Sequence, residues 1–310
     1  MPALQEASAT TTNQATTNQA THDPATRYGR QQVGEVDVFY RFAGDPDAEV
    51  VLLLHGYPSS SHMFRELIPI LATKYRVIAP DLPGFGSTTA PPRGAFDYTF
   101  DQLADTVRGF IEALGLERFA LYVFDYGAPV GLRIAAADAQ SVSAIISQNG
   151  NVYEQGLTEN WAPLRAYWQD GTEQNRDALR QLLARETTQW QYTHGVPESS
   201  LARVGPDGID HDQSILDRPG SDEIQLDLFR DYRTNVELYP HWQRYLRTHR
   251  PPVLAIWGKN DPFFAPQGAE AFRRDVPEAR VELVDSGHFA LESHGPEIAR
   301  SVLDFLDEVL

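Results

Sequence analysis

Short apolar runs alternate with stretches of helical spacing along most of this chain. Glu35 to Phe42 alternates through Val36, Val38 and Tyr40, which predicts a half-buried strand. Val50 to Leu54 is continuously apolar, as in a strand covered on both faces. Ser61 to Thr73 carries helical spacing at Met63, Leu67, Ile70 and Leu71, and Tyr75 to Ala79 reads as the next strand. Phe100 to Leu114 repeats the helical pattern through Leu103, Val107, Phe110 and Ile111. A buried strand from Phe119, a helix from about Pro129 to Ala137 and a strand over Ser143 to Ser147 follow. After a long interval, Pro252 to Trp257 and Arg280 to Val284 resume the strand texture, and Ile298 to Leu310 closes as a helix. Strands alternating with helices predict an α/β fold with a mainly parallel sheet flanked by helices.

The interval is the break in this rhythm. Residues 151–250 hold helical segments and polar loops without a parallel-strand run, and Val204 to Gly220 reads as irregular. Most of the Trp and Tyr residues fall there. We read residues 28–150 and 251–310 as the core and 151–250 as a helical cap over the strand ends, where open α/β sheets bind ligands. The first 27 residues are rich in Thr, Ala, Asn and Gln and contain TTNQA twice. They lack the charged start and apolar centre of a secretory signal. Too little apolar surface is available there to offset ordering, so a disordered tail is expected.

Composition narrows the function. With 310 residues and 42% hydrophobic content, the chain can bury a large core. A net charge of -17 argues against nucleic acid and anionic membranes as partners. The absence of cysteine removes thiolate catalysis and cysteine-bound zinc and fits a cytoplasmic protein. No histidine pair has metal-ligand spacing, no phosphate-binding glycine loop occurs, and no cofactor or metal is expected. The oligomeric state is left open.

Three loop positions carry the candidate chemistry. Asp125 stands at a sharp strand-to-helix turn within Phe124-Asp-Tyr-Gly127. A serine so placed makes an acyl-enzyme; an aspartate can displace a leaving group from carbon and form an ester. Attack by aspartate on an acyl carbon would give a labile anhydride, which disfavours an esterase. Asp261 ends Gly258-Lys-Asn-Asp261 after one late strand, and His288 lies in Ser286-Gly-His-Phe289 after the next. Both can converge on Asp125, with His288 as base and Asp261 holding its tautomer.

These segments, with His55-Gly-Tyr-Pro58 and Pro80-Asp-Leu-Pro-Gly-Phe-Gly86, resemble the α/β-hydrolase superfamily over about residues 30 to 310. The resemblance is to the branch with an aspartate nucleophile, which holds epoxide hydrolases and haloalkane dehalogenases. It implies a nucleophile at Asp125, an oxyanion hole from the backbone N–H groups of Tyr57 and Tyr126, and a bracing role for His55. That branch usually has tryptophan after the nucleophile and often histidine before it; Tyr126 and Phe124 stand here instead. The tryptophan and the asparagine with which haloalkane dehalogenases hold halide are both absent, Tyr57 occupying the asparagine position, although the Tyr126 hydroxyl can bind halide. The arginine that fluoroacetate dehalogenases carry after the nucleophile is missing too, against a haloacid substrate.

Epoxide hydrolases protonate the opening oxygen with two cap tyrosines. Phe229-Arg-Asp-Tyr-Arg-Thr-Asn235 is similar to one tyrosine segment and implies Tyr232. Leu164-Arg-Ala-Tyr-Trp-Gln169 is similar to the other and implies Tyr167, with Tyr153 as rival. The expected activity is therefore hydrolysis of a small apolar epoxide by water to a vicinal diol. A dehalogenase with unusual halide ligands is the alternative, and a non-catalytic binder on the same scaffold is the second alternative.

Overall fold

The computed structural model of the chain describes residues 24–310. The expected tail lies almost entirely outside the described residues; its last residue, Arg27, opens the first strand and pairs with Phe42. Eight strands form one sheet: β1 (Arg27–Val33), β2 (Val36–Ala43), β3 (Val50–Leu54), β4 (Arg76–Pro80), β5 (Phe119–Phe124), β6 (Val142–Gln148), β7 (Val253–Gly258) and β8 (Arg280–Val284). Their order is β1-β2-β4-β3-β5-β6-β7-β8. The β1–β2 and β2–β4 pairings are antiparallel and the other five are parallel.

The central strands show why the continuous apolar runs are needed. In β5, Phe119, Leu121 and Val123 join the core on one face, while Ala120, Tyr122 and Phe124 join the core on the other. β3 divides likewise, Leu52 and Leu54 against Val51 and Leu53. Strand side chains alternate in direction, so only a strand apolar at every position satisfies both layers. The helices Phe100–Ala113 and Gly127–Ala137 serve the first layer; Leu67–Leu71 and Ala290–Val309 serve the second. Helix Phe100–Ala113 starts where Thr99 accepts the Gln102 N–H and buries the predicted apolar stripe.

Residues between β6 and β7 add no strand to the sheet and fold as short helices, ending in the long helix Arg233–His249. Several elements depart from expectation. Strand β1 is missing from the sequence reading because it is an edge strand, polar and largely exposed, and edges bury too little to impose a clear pattern. Ser61 to Thr73 splits into a 3-10 turn, Ser61–Phe64, and a short helix, Leu67–Leu71. Val204 to Gly220, expected to be irregular, contains the helix Pro206–Leu216, with proline in its first turn. The last helix starts at Ala290 rather than Ile298, because a kink at His294 lets Pro296 sit in a fresh first turn. No helix among the described residues is long and apolar enough to cross a membrane.

The loops after β7 and β8 meet at van der Waals limits. A Cβ added to Gly258 would lie 1.9 Å from the Gly287 carbonyl oxygen. Gly258→Ala should therefore destabilise the protein by about 3 kcal/mol, at the upper end for overpacking, since backbone meets backbone. Denaturant unfolding of the variant checks this, and an unchanged midpoint would contradict it.

Candidate active site

The site begins with the turn after β5. Asp125 adopts φ +46°, in the left-handed region that aspartate tolerates better than most residues. The turn swings the chain from the sheet directly into helix Gly127–Ala137, and the Asp125 carbonyl accepts the Ala128 N–H at 3.0 Å. Gly127 makes this possible, because a Cβ there would lie 2.2 Å from the Leu54 carbonyl oxygen. Gly56 is equally constrained: its Cβ would sit 2.3 Å from Asp125 Oδ1.

That crowding leaves the Asp125 carboxylate under backbone donors. The Tyr57 N–H donates to Oδ1 at 2.6 Å, and the Tyr126 N–H lies near enough to lower the carboxyl pKa without closing a well-formed hydrogen bond. The start of helix Gly127–Ala137 adds a partial positive charge. Burial is the larger influence and pushes the carboxyl up to about 6, against the lowering effect of His288 and the two amides. The Tyr57 loop is braced by His55, which bonds the Gly56 carbonyl through Nδ1 at 3.0 Å and accepts the Leu82 N–H at Nε2, 2.9 Å. This requires the neutral ring protonated at Nδ1, and burial lowers the pKa of His55 accordingly.

Asp261 and His288 come together as the sequence predicts. His288 Nδ1 lies 2.7 Å from Asp261 Oδ2. Asp261 Oδ1 accepts the N–H groups of Phe263 and Phe264 at 2.7 and 3.1 Å. Asn149, with φ +48°, donates from Nδ2 to Asp261 Oδ2 at 2.7 Å, and its Oδ1 accepts the Gly258 N–H at 2.9 Å. The carboxylate is thus fixed from three sides. Burial works against charge on His288, but the carboxylates of Asp261 and Asp125 raise its pKa overall. The rings of Phe124 and Phe264 flank the imidazole at 4.7 and 5.8 Å.

Asp125 and His288 line one cavity of about 40 Å³, room for a few water molecules. The core also contributes Tyr57, Tyr126, Phe263 and Phe264; the insertion contributes Trp161, Leu164, Leu182, Gln191 and Phe229. A carboxylate, a histidine and two backbone donors around a mostly apolar space can carry out nucleophilic displacement followed by hydrolysis of the resulting ester.

The cap tyrosines are placed otherwise than expected. Tyr167 does not line the cavity; its hydroxyl accepts from Arg176 at 2.8 Å and its ring lies under Arg230. The rival Tyr153 also lies outside the lining, packed against Phe272. Tyr232 sits one layer behind it, with ring centroids 4.6 Å from Trp161 and 5.7 Å from Tyr126. Its hydroxyl lies beside that of Tyr239 without closing a well-formed hydrogen bond. Similarity of segment located the helix but not the direction in which its phenol points. Two contributors escaped the sequence reading. Asn149 follows β6 just as the other site residues follow their strands, which was the available signal. Gln191 carries none, being one polar residue among many in the insertion.

Comparison with known proteins agrees with this fold. The alpha/beta hydrolase fold family matches residues 49–295, and the chain belongs to that family. It is 42% identical to the uncharacterized hydrolase YNR064C of Saccharomyces cerevisiae, over 91% of this chain and 98% of that one. It is 26% identical to a haloalkane dehalogenase of Psychrobacter cryohalolentis, covering 88% of each chain. It is also 24% identical to epoxide hydrolase 2 of Caenorhabditis elegans, over 89% of this chain and 79% of that one. The protein is accordingly a hydrolase, which sets aside the non-catalytic binder.

The elevated carboxyl pKa has a kinetic consequence. As pH falls through about 6, Asp125 takes up a proton and loses the charge that a nucleophile at this position and a charge partner of His288 would need. Turnover should drop about tenfold per pH unit below that point. A rate profile that stays level down to roughly pH 4.5 would contradict the assignment.

Proposed function

We propose that the protein hydrolyses small apolar epoxides to vicinal diols through an alkyl-enzyme ester on Asp125. The observation that carries this reading is an aspartate, in place of a hydroxyl or thiol, at the tip of the turn. Its carboxylate lies under the Tyr57 N–H and opens onto a cavity shared with His288.

One oxygen of Asp125 attacks the epoxide carbon, and the C–O bond of the ring breaks. The departing alkoxide is a poor leaving group and needs a proton. Among the cavity-lining residues, Tyr126 supplies a phenol with no hydrogen-bond partner for its hydroxyl among the described residues. Burial, and next the Asp125 charge, raises its pKa and keeps it protonated until an alkoxide forms. Tyr126 takes the part for which Tyr232 and Tyr167 were first considered, with Tyr232 as the packing support behind it.

The second half-reaction uses His288. It removes a proton from water, and the resulting hydroxide adds to the carboxyl carbon of Asp125. The tetrahedral oxyanion is held by the N–H groups of Tyr57 and Tyr126. Collapse releases the diol with the proton that His288 returns, and the proton left on the Asp125 carboxyl passes through water to restore the Tyr126 phenol. Asp261 and Asn149 keep the imidazole oriented throughout.

A dehalogenase is the second reading, favoured by the absence of any cap tyrosine from the cavity lining and by the haloalkane dehalogenase relative. Halide needs donors but no proton, so this alternative asks less of the cavity. Incubation with small epoxides and small haloalkanes, following diol and free halide, separates the two. With the productive substrate, Asp125→Ala should lose all turnover above background. His288→Gln should accumulate an adduct of enzyme plus substrate mass, slowing turnover on the order of 10²–10⁴-fold. Intact-mass spectra of that variant without an adduct, alongside active wild type, would rule the ester out.

A further inference from the structure

We infer that Gln191 is a further catalytic residue, donating a hydrogen bond from its side-chain amide to the atom that leaves carbon when Asp125 attacks. This deepens the proposed function and rests on Asp125 as nucleophile.

The inference comes from following every polar side chain that the cavity walls provide. Trp161 lines the cavity, but its Nε1–H is engaged by the Phe263 carbonyl at 2.9 Å. Tyr57 also lines it, and its hydroxyl proton is engaged by the Leu182 carbonyl at 2.8 Å. Leu164, Leu182 and Phe229 have no polar side-chain atom. Gln191 is different. It is only 2% exposed, it faces the cavity, and its amide makes no hydrogen bond among the described residues. Its neighbours on helix Arg185–Thr193 are satisfied: Thr188 donates to Gln213 at 2.7 Å and Tyr192 to Asp212 at 2.6 Å.

A buried amide without partners is destabilising. That cost is recovered when something in the cavity binds the amide, and in-line displacement says what. Asp125 attacks from the core side, so the departing atom lies opposite the attacking oxygen, between the Tyr126 phenol and the wall built by the insertion. Gln191 carries the one unengaged N–H donor that this wall presents among the described lining residues. Charge grows on the departing atom as its bond to carbon breaks, so the hydrogen bond is stronger in the transition state than in the bound substrate. The amide holds the atom without giving up a proton; protonation of an alkoxide remains with Tyr126. Nothing is left for Gln191 to hold during ester hydrolysis of a halide substrate, and the opened oxygen is already neutral for an epoxide.

This separates the two half-reactions experimentally. In a His288→Gln background the adduct accumulates and its formation rate is read by intact mass. Adding Gln191→Leu should slow that rate about 10²-fold. Adding Gln191→Glu, which keeps the side-chain size, should slow it at least as much, because a carboxylate repels the developing charge. With His288 intact, the rate of adduct breakdown should stay within about twofold of wild type. Adduct formation at an unchanged rate in both Gln191 variants would overturn the role. Equal slowing of formation and breakdown would also overturn it, as the mark of a merely structural residue. If no substrate forms an adduct even in the single His288→Gln variant, the nucleophile assignment fails first, and the role of Gln191 falls with it.

Discussion

The structure depends on one crowded contact, between the loop after β3 and the turn after β5. Parallel pairing sets Leu54 beside Val123, so the two chains leave the sheet side by side. Asp125 must turn with φ +46° to enter the next helix, and Gly56 and Gly127 leave no room for any Cβ on either side. The same geometry aims the Tyr57 N–H at the carboxylate over 2.6 Å. A strained, buried carboxylate is expensive to maintain unless donors converge on it. Here the donors come from backbone already fixed by the sheet, so the candidate site and the fold share one set of constraints.

The insertion does more than cover the site. Its opening segment grips the loop that carries Asp261: Thr158 donates to the Pro262 carbonyl at 2.5 Å, Asn160 to the same oxygen at 2.8 Å, and Trp161 to that of Phe263 at 2.9 Å. Helix Arg233–His249 is held separately, through Arg133 to Asn235 at 2.6 Å and to Thr234 at 3.1 Å. These bonds are part-buried, and those from the Arg133 guanidinium are charge-assisted, which makes them stronger than neutral ones. The exposed ion pairs of Arg180 with Asp177 and Asp222 add little by comparison. The opening segment of the insertion is therefore tied to the loop whose Asp261 carboxylate bonds His288.

Charge placement follows from burial. The cavity holds one carboxylate and one imidazole, with no lysine or arginine in its lining. For the proposed displacement, developing charge would be met by oriented dipoles: backbone amides at the Asp125 end and the Gln191 amide toward the insertion. Oriented dipoles in a small, mostly apolar cavity need little reorganisation as charge moves, which is what the proposed displacement at carbon requires.

The amino-acid sequence by itself determined the sheet, the insertion and the trio Asp125, Asp261 and His288. Strands buried on both faces must be apolar at every position, and residues that follow parallel strands must gather at one edge of the sheet, so order along the chain implies proximity in space. It did not determine β1, whose exposed edge demands no pattern, nor Asn149, whose part depends on where Asp261 arrives. Least of all did it determine which side chains of the insertion face the cavity. Tyr167, Tyr232 and Gln191 all lie on or beside short amphipathic helices, and a rotation of such a helix by one residue exchanges a buried phenol for a cavity-facing amide. Only tertiary packing sets that rotation, because the helix is too short to choose a face alone.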